Sequence, residues 1–196
     1  MKKIILASAS KRRSEILKSC GIAHECVVSH VKEIESGNLT VRKIVLKNAV
    51  MKAEKVCELS RKEVIISADT LVVSGGKIIG KPRDAKHAKK MLLGFSGRSI
   101  KVYTGMCVIN ALTGKKAQAV DVSGIKVIKM DEKFVAEVFA HLGPYDKAGG
   151  FSIEGVGSMI FDDVTGSYFN ILGLSMMKLR ELFERVGLDI LDFVKL

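Results

Sequence analysis

The chain opens with the apolar run Ile4, Ile5, Leu6, Ala7, turns polar at Ser8, Ala9, Ser10, and continues through Lys11, Arg12, Arg13, Ser14, Glu15, Ile16, Leu17. A short apolar run with β-branched members suits a buried strand. Ser10 can cap a helix, and Ile16, Leu17 and Cys20 recur at helical spacing up to Gly21. Strand, tight turn and helix therefore meet within residues 4–21. The turn carries hydroxyls, cations and the unpaired amides of a helix start. Such a terminus favours anions, and arginine forks add paired donors matched to phosphate oxygens. A phosphate-bearing ligand is the first expectation; the alternative is a helix whose cations only face water.

The remaining chain alternates in the same manner. Residues 22–28 are expected as a strand. Thr40 caps a helix running to about Leu59, with Val41, Val45, Ala49, Ala53 and Val56 as its apolar stripe and Lys52 off that stripe. Val64, Ile65 and Ile66 mark a buried strand that runs out in Ser67, Ala68, Asp69 and Thr70, placing Asp69 at a strand end. Leu71–Val73 and Lys77–Ile79 flank Ser74, Gly75 and Gly76 as a hairpin that delivers Lys81 back toward Asp69. Asp84 caps a helix to about Gly94, and Ser99–Ala111 and Ala117–Lys129 form two long strands around Thr113 and Gly114. Asp131 opens a helix that Gly143 and Pro144 stop. The loop Tyr145, Asp146, Lys147, Ala148, Gly149, Gly150, glycine-rich and carrying both charges, is a site candidate. Two strand-like runs, Gly166, Ser167, Tyr168, and a last helix from about Leu174 to Val186, closed by Gly187, complete the chain. The expected fold is α/β, a mixed sheet flanked by helices, without internal repeats.

Composition narrows the functional classes. At 196 residues and 47% hydrophobic content, residues 1–196 can bury a substantial core as one domain. The net charge of +11 suits an acidic small molecule as well as a nucleic acid. The lysines scatter among helices and only 6% of residues are aromatic, so nucleic-acid binding is not the expected main role. The apolar run after Lys2 and Lys3 is far too short for a signal peptide, and no segment approaches a membrane span, so a cytoplasmic protein is expected. Cys20, Cys26, Cys57 and Cys107 form no CxxC pair and read as small core residues. His24, Cys26 and His30 alternate along the expected strand, but a fourth zinc ligand is missing. His87 and His141 read as helix-surface residues.

Phosphate chemistry needs cations, carboxylates that hold a divalent metal, and a group that positions water. The candidate cations are Arg12, Arg13, Lys52 and Lys81; the leading carboxylates are Glu33 and Asp69, with Asp146 and Lys147 as a second set. Against these stand solvated helix faces for the lysines and a turn cap for Asp69. The chain has no GxxxxGK[ST] and no GxGxxG after a strand, which excludes P-loop and Rossmann chemistry. No serine sits in a GxSxG elbow.

The opening Leu6–Leu17 segment is similar to the signature of the Maf family of nucleoside triphosphate pyrophosphatases. Further blocks resemble the family in its own order: Ser67–Thr70, Gly80–Pro82, Ser96–Gly97, Tyr103–Gly105, Asp146–Gly149, Glu154–Gly155, Gly166–Tyr168 and Gly173–Leu174. The resemblance implies a twisted mixed sheet with a central cleft, akin to the inosine triphosphate pyrophosphatases. It implies hydrolysis between the α and β phosphates with a divalent ion, magnesium or manganese. Position by position, Asp69 matches the proton acceptor and a metal ligand, Glu33 the second metal ligand, and Ser8, Arg13, Lys52 and Lys81 the phosphate neighbourhood. House-cleaning of nucleotide pools is the implied role, and a homodimer is common in such families. Lys11, Gly143, Ile100 and Ser175 depart from the family pattern without removing a charge assigned to chemistry, except that Gly143 replaces a carboxylate.

Arg12, Thr70 and Glu154 fall at the positions by which the family divides. The thymidine and uridine group carries Arg, Thr and Gln, and a 7-methylguanosine group carries Trp, Gln and Glu, so this chain is a hybrid. Gln both donates and accepts, matching a uracil or thymine edge, whereas an ionised Glu only accepts. A mispaired buried edge costs about 1–3 kcal/mol, roughly ten- to a hundredfold in selectivity. The expectation is a dTTP- and UTP-like preference, broadened or shifted by Glu154 toward CTP or 7-methyl-GTP. The rival is a regulatory protein of cell division that binds nucleotide or nucleic acid without turnover.

Overall fold

The computed structural model describes residues 3–35, 38–60, 62–142 and 153–195. The segment 145–150, with Asp146 and Lys147, and the Gly143–Pro144 stop lie outside the described residues. By internal contacts the chain divides into two compact units, residues 1–70, 104–121 and 169–196 forming one and residues 71–103 and 122–168 the other.

The first unit grows from Ile4–Leu6 (β1), buried throughout, which pairs in parallel with His24–Cys26 (β2) and with the first residues of Val64–Ser74 (β3). Helix Lys11–Ser19 (α1) separates β1 from β2 and starts at Ser10, whose hydroxyl accepts the Arg13 amide. β2 is shorter than the expected 22–28. Its pairing stops where Val27 donates to the Leu6 carbonyl and β1 gives way to the Ser8 turn, so His30, at φ 50°, lies beyond the strand. On this edge strand Cys26 is exposed rather than a core residue, whereas Cys107 is buried.

Val41–Cys57 (α2) begins at the Thr40 cap and buries Ile44, Val45, Asn48, Ala49, Lys52, Ala53 and Val56. Lys52 thus lies within the stripe, not off it. Ion pairs to two carboxylates offset the desolvation of its head group. The β-strand does not end near Asp69 either. β3 runs unbroken to Ser74 because its polar residues find partners inside; Ser67, for example, donates to the Ala49 carbonyl at 2.6 Å.

Strand Ser99–Asn110 (β5) supports α2 through Gly105. A Cβ there would lie 2.3 Å from the Val45 carbonyl oxygen, so only glycine allows the helix this close. Ile5, Ala7, Ala49, Ala53, Val56, Ile65, Cys107 and Ile109 form the apolar layer between helix and strands. Beyond the second unit the chain returns as a short helix, Tyr168–Leu172 (α5), absent from the sequence expectation. Gly173, at φ 104°, breaks it from Met176–Arg185 (α6), which starts at the Ser175 cap.

In the second unit, β3 turns through Gly75 and Gly76, both at positive φ, into Lys77–Ile79 (β4). Ala85–Gly94 (α3) and Glu132–His141 (α4) start at the expected caps Asp84 and Asp131, and Lys89 lies 5.1 Å from the Phe139 ring centroid. Lys115–Val127 (β6) pairs antiparallel with Phe161–Thr165 (β7). One of the two expected strand-like runs is instead the 3₁₀ turn Gly155–Ile160. Among the described residues the strand order is β2-β1-β3-β5-β6-β7 with β4 on β3, a mixed sheet flanked by helices. No helix among them is long and apolar enough to cross a membrane.

Candidate active site

Lys52 projects from α2 with its Nζ 2.8 Å from Asp69 Oδ1 on β3 and 2.9 Å from Glu33 Oε1 in the irregular segment before α2. Lys52 and Asp69 are buried, while the Glu33 side chain is 47% exposed. The second Asp69 oxygen, Oδ2, accepts from Asn48 Nδ2 at 2.9 Å. A buried carboxylate persists when it is paired and hydrogen-bonded, and Asp69 has an ammonium on one oxygen and a carboxamide on the other. Each of its oxygens retains a lone pair for a further donor or cation.

Arg13 occupies the start of α1 as a fixed fork. Its Nε donates to the Gly173 carbonyl at 2.9 Å, Nη1 to Ser8 Oγ at 3.0 Å and Nη2 to Thr70 Oγ1 at 3.0 Å. Burial pulls its pKa below the ordinary value, opposed by the charges of Asp69 and Glu33, and a guanidinium remains a cation throughout. One N–H on each terminal nitrogen has no partner among the described residues.

The hydroxyls around Arg13 are ordered by elimination. Ser8 Oγ accepts from Arg13 and from the Ser10 amide at 3.2 Å, which fills both lone pairs and leaves its own proton to donate. Thr104 donates to the Asn170 carbonyl at 3.1 Å, so Thr70 must donate in the 3.0 Å Thr70–Thr104 bond. Donation runs one way, from Arg13 to Thr70 to Thr104 to a backbone carbonyl. The Thr70 hydroxyl proton is therefore committed to Thr104, which leaves a Thr70 lone pair aimed at Arg13.

Ser8, Arg13, Glu33, Lys52, Asp69 and Thr70 are thus brought together within the first unit. Arg12 lies beside Arg13 on α1, half-buried. Lys81, exposed just past β4, and Glu154, exposed at the start of the 3₁₀ turn, belong to the second unit. Three residues of the assembly have no role assigned from the sequence. Asn48 was legible as a polar residue one helical turn before Lys52 inside an apolar stripe. Thr104 and Gly173 lie in the blocks Tyr103–Gly105 and Gly173–Leu174 noted in the sequence, but nothing local signals their roles, since their partners are distant in sequence.

Among the described residues no group of three His, Cys, Asp or Glu is placed to hold a metal. His24 is satisfied otherwise: Nδ1 donates to the Ile22 carbonyl at 2.9 Å, leaving Nε2 to accept from Ser14 at 2.8 Å. Glu33 and Asp69 nevertheless converge on one cation, the Lys52 ammonium. Two carboxylates together with phosphate oxygens are the set that magnesium ordinarily takes.

A family model for Maf-like proteins matches residues 3–186. Curated relatives include the dTTP/UTP pyrophosphatases of Desulforamulus reducens, 38% identical with 97% of this chain and 100% of that one covered, and of Dictyoglomus thermophilum, 38% identical with 97% and 99% covered. The corresponding protein of Methanococcoides burtonii is 35% identical, with 98% and 99% covered. Among solved structures, the Staphylococcus aureus Ham1 protein superposes with a TM-score of 0.49 at 12% identity, covering 98% of this chain and 94% of that one.

Proposed function

This chain belongs to the family of Maf-like proteins, and from that premise and the site above we propose that it hydrolyses nucleoside triphosphates to a monophosphate and pyrophosphate. The observation that carries this reading is the buried Lys52 shared by Asp69 and Glu33 beside the anchored Arg13 fork. Phosphoryl chemistry is mostly positioning and charge stabilisation, which such a set supplies.

In this reading Asp69 orients the attacking water and takes its proton through a lone pair left by Lys52 and Asn48. Arg13 offers its two remaining N–H donors, and Ser8 its proton, to phosphate oxygens next to the helix start. Lys81 adds a further cation for the phosphates. Glu33 and Asp69 would hold a divalent ion, which supplies charge neutralisation on the phosphate oxygens. Lys52 holds the two carboxylates together.

The relatives' names support dTTP and UTP as substrates, and Glu154 in place of a Gln shifts the expected preference toward bases that present donors. The test is pyrophosphate release from a panel of canonical and modified nucleoside triphosphates, each with and without magnesium or manganese. Metal-dependent release is the expected result. Its absence across the panel moves the chain to a binding role. Glu154→Gln should raise UTP and dTTP relative to CTP and 7-methyl-GTP, and an unchanged rank order sinks the base assignment.

A further inference from the structure

The segment between β2 and α2 carries Glu33, yet its described residues form no helix or strand. Among the described residues, residues 28–35 make no backbone–backbone hydrogen bond. Their hydrogen-bonded attachment is the carboxamide of Asn48. Its Oδ1 accepts from the Ile34 amide at 2.8 Å, and its Nδ2 donates to the Ile34 carbonyl at 3.0 Å, a two-bond clasp of the kind one strand makes with another. The second Nδ2 proton goes to Asp69 Oδ2 at 2.9 Å. The partners fix the amide orientation, since the reversed group would set oxygen against a carbonyl and a carboxylate.

We propose that Asn48 is the positioning residue of this site: one buried side chain on α2 sets the separation of Asp69 and Glu33 by gripping both Asp69 and the backbone next to Glu33. The inference rests on the proposed hydrolysis for its kinetic consequence, and on geometry alone for the tether. Asn48 is 1% exposed in a stripe that is apolar but for Lys52, where Leu would bury no polar group of its own. A polar residue there orders something, and the groups it touches are the carboxylate proposed to activate water and the segment bearing the second carboxylate. The Lys52–Glu33 ion pair cannot do the same. It ends on a side chain that is 47% exposed and leaves the backbone of the segment free to move. Asn48 and Lys52, one turn apart on α2, divide the work: Lys52 compensates charge, and Asn48 fixes place.

The test uses Asn48→Leu, which keeps bulk and removes all three bonds. In the nucleotide-free protein, exchange of the Ile34 amide proton followed by NMR should accelerate by about tenfold or more, while the amides of β1 and β3 keep their rates. In turnover, kcat should fall by about ten- to a hundredfold with KM changed by less than about twofold, because misplacement by a fraction of an ångström penalises the reacting geometry rather than binding. Made in a Glu33→Gln background, Asn48→Leu should cost less than about threefold further, since the group it places is gone. A merely structural Asn48 would lower Tm without that dependence on Glu33. Unchanged Ile34 exchange, or losses that multiply independently in the double variant, overturns the proposal. Should Asn48→Leu fail to fold, Asn48→Ser carries the same expectations with no added bulk. A wild-type protein that releases no pyrophosphate defeats the proposed hydrolysis, and the Ile34 exchange then decides the tether by itself.

Discussion

The one-way hydrogen-bond chain that ends at Asn170 makes Thr104→Val a sharp perturbation. Thr104 is fully buried, and valine replaces its hydroxyl with a methyl of nearly the same shape. Asn170 keeps its carbonyl satisfied, because the Gly173 amide also donates to it at 2.9 Å. The loss therefore falls on Thr70, whose proton is left without its acceptor. Thr70 is half-buried, so its orphaned donor costs about 1 kcal/mol, which for a chain of this length is a Tm decrease of about 2–4 °C. Thr70 then no longer presents a fixed lone pair to Arg13 Nη2, one of the three tethers of that fork. A loss of about 1 kcal/mol in holding Arg13 corresponds to about fivefold in kcat/KM. Thr104→Ser keeps the hydroxyl and should retain kcat/KM, although it loses a methyl from the core. In Thr70→Val the donor is already gone, so adding Thr104→Val should cost little more. Calorimetry and pyrophosphate-release kinetics read both effects. A Thr104→Val protein with wild-type Tm and kcat/KM would refute the assigned direction of the chain and the support it lends Arg13.

Asp69→Asn should lower kcat by about a hundredfold or more with the circular dichroism spectrum retained, and full activity would remove Asp69 from the chemistry. Gly173→Ala places a Cβ 3.3 Å from Thr70 Oγ1 at φ 104°, so urea denaturation should show a loss of about 1–3 kcal/mol, together with a raised KM as Arg13 shifts. Burial pushes the Cys107 thiol from 9.0 up to about 12. The folded chain then keeps a proton that the unfolded chain has already lost, so stability falls as pH rises from 9 toward 12, by about 1.4 kcal/mol per pH unit. Denaturant titrations of Cys107→Ala across that range should show a flatter decline, and identical slopes would exclude the thiol as the cause.

Much of this protein was legible from its residues in order. The caps Ser10, Thr40, Asp84 and Asp131, the Gly75–Gly76 hairpin and the Gly114 turn all appear where expected, because each is decided by groups a few residues apart. The cations and carboxylates of the site could be named for the same reason, since residue chemistry is local. Their roles could not. Whether Lys52 faces water or two carboxylates depends on how α2 rotates over β3 and β5, and that is set by the bare backbone of Gly105 against Val45. Asp69 stays inside a strand because its side-chain partners come from a helix, at 17 and 21 residues' separation. Arg13 is held by a carbonyl 160 residues away. The sequence by itself determined the elements and the inventory of charge. Only the tertiary structure decided which charges are buried, paired and fixed, because desolvation and hydrogen-bond geometry depend on neighbours that chain order does not supply.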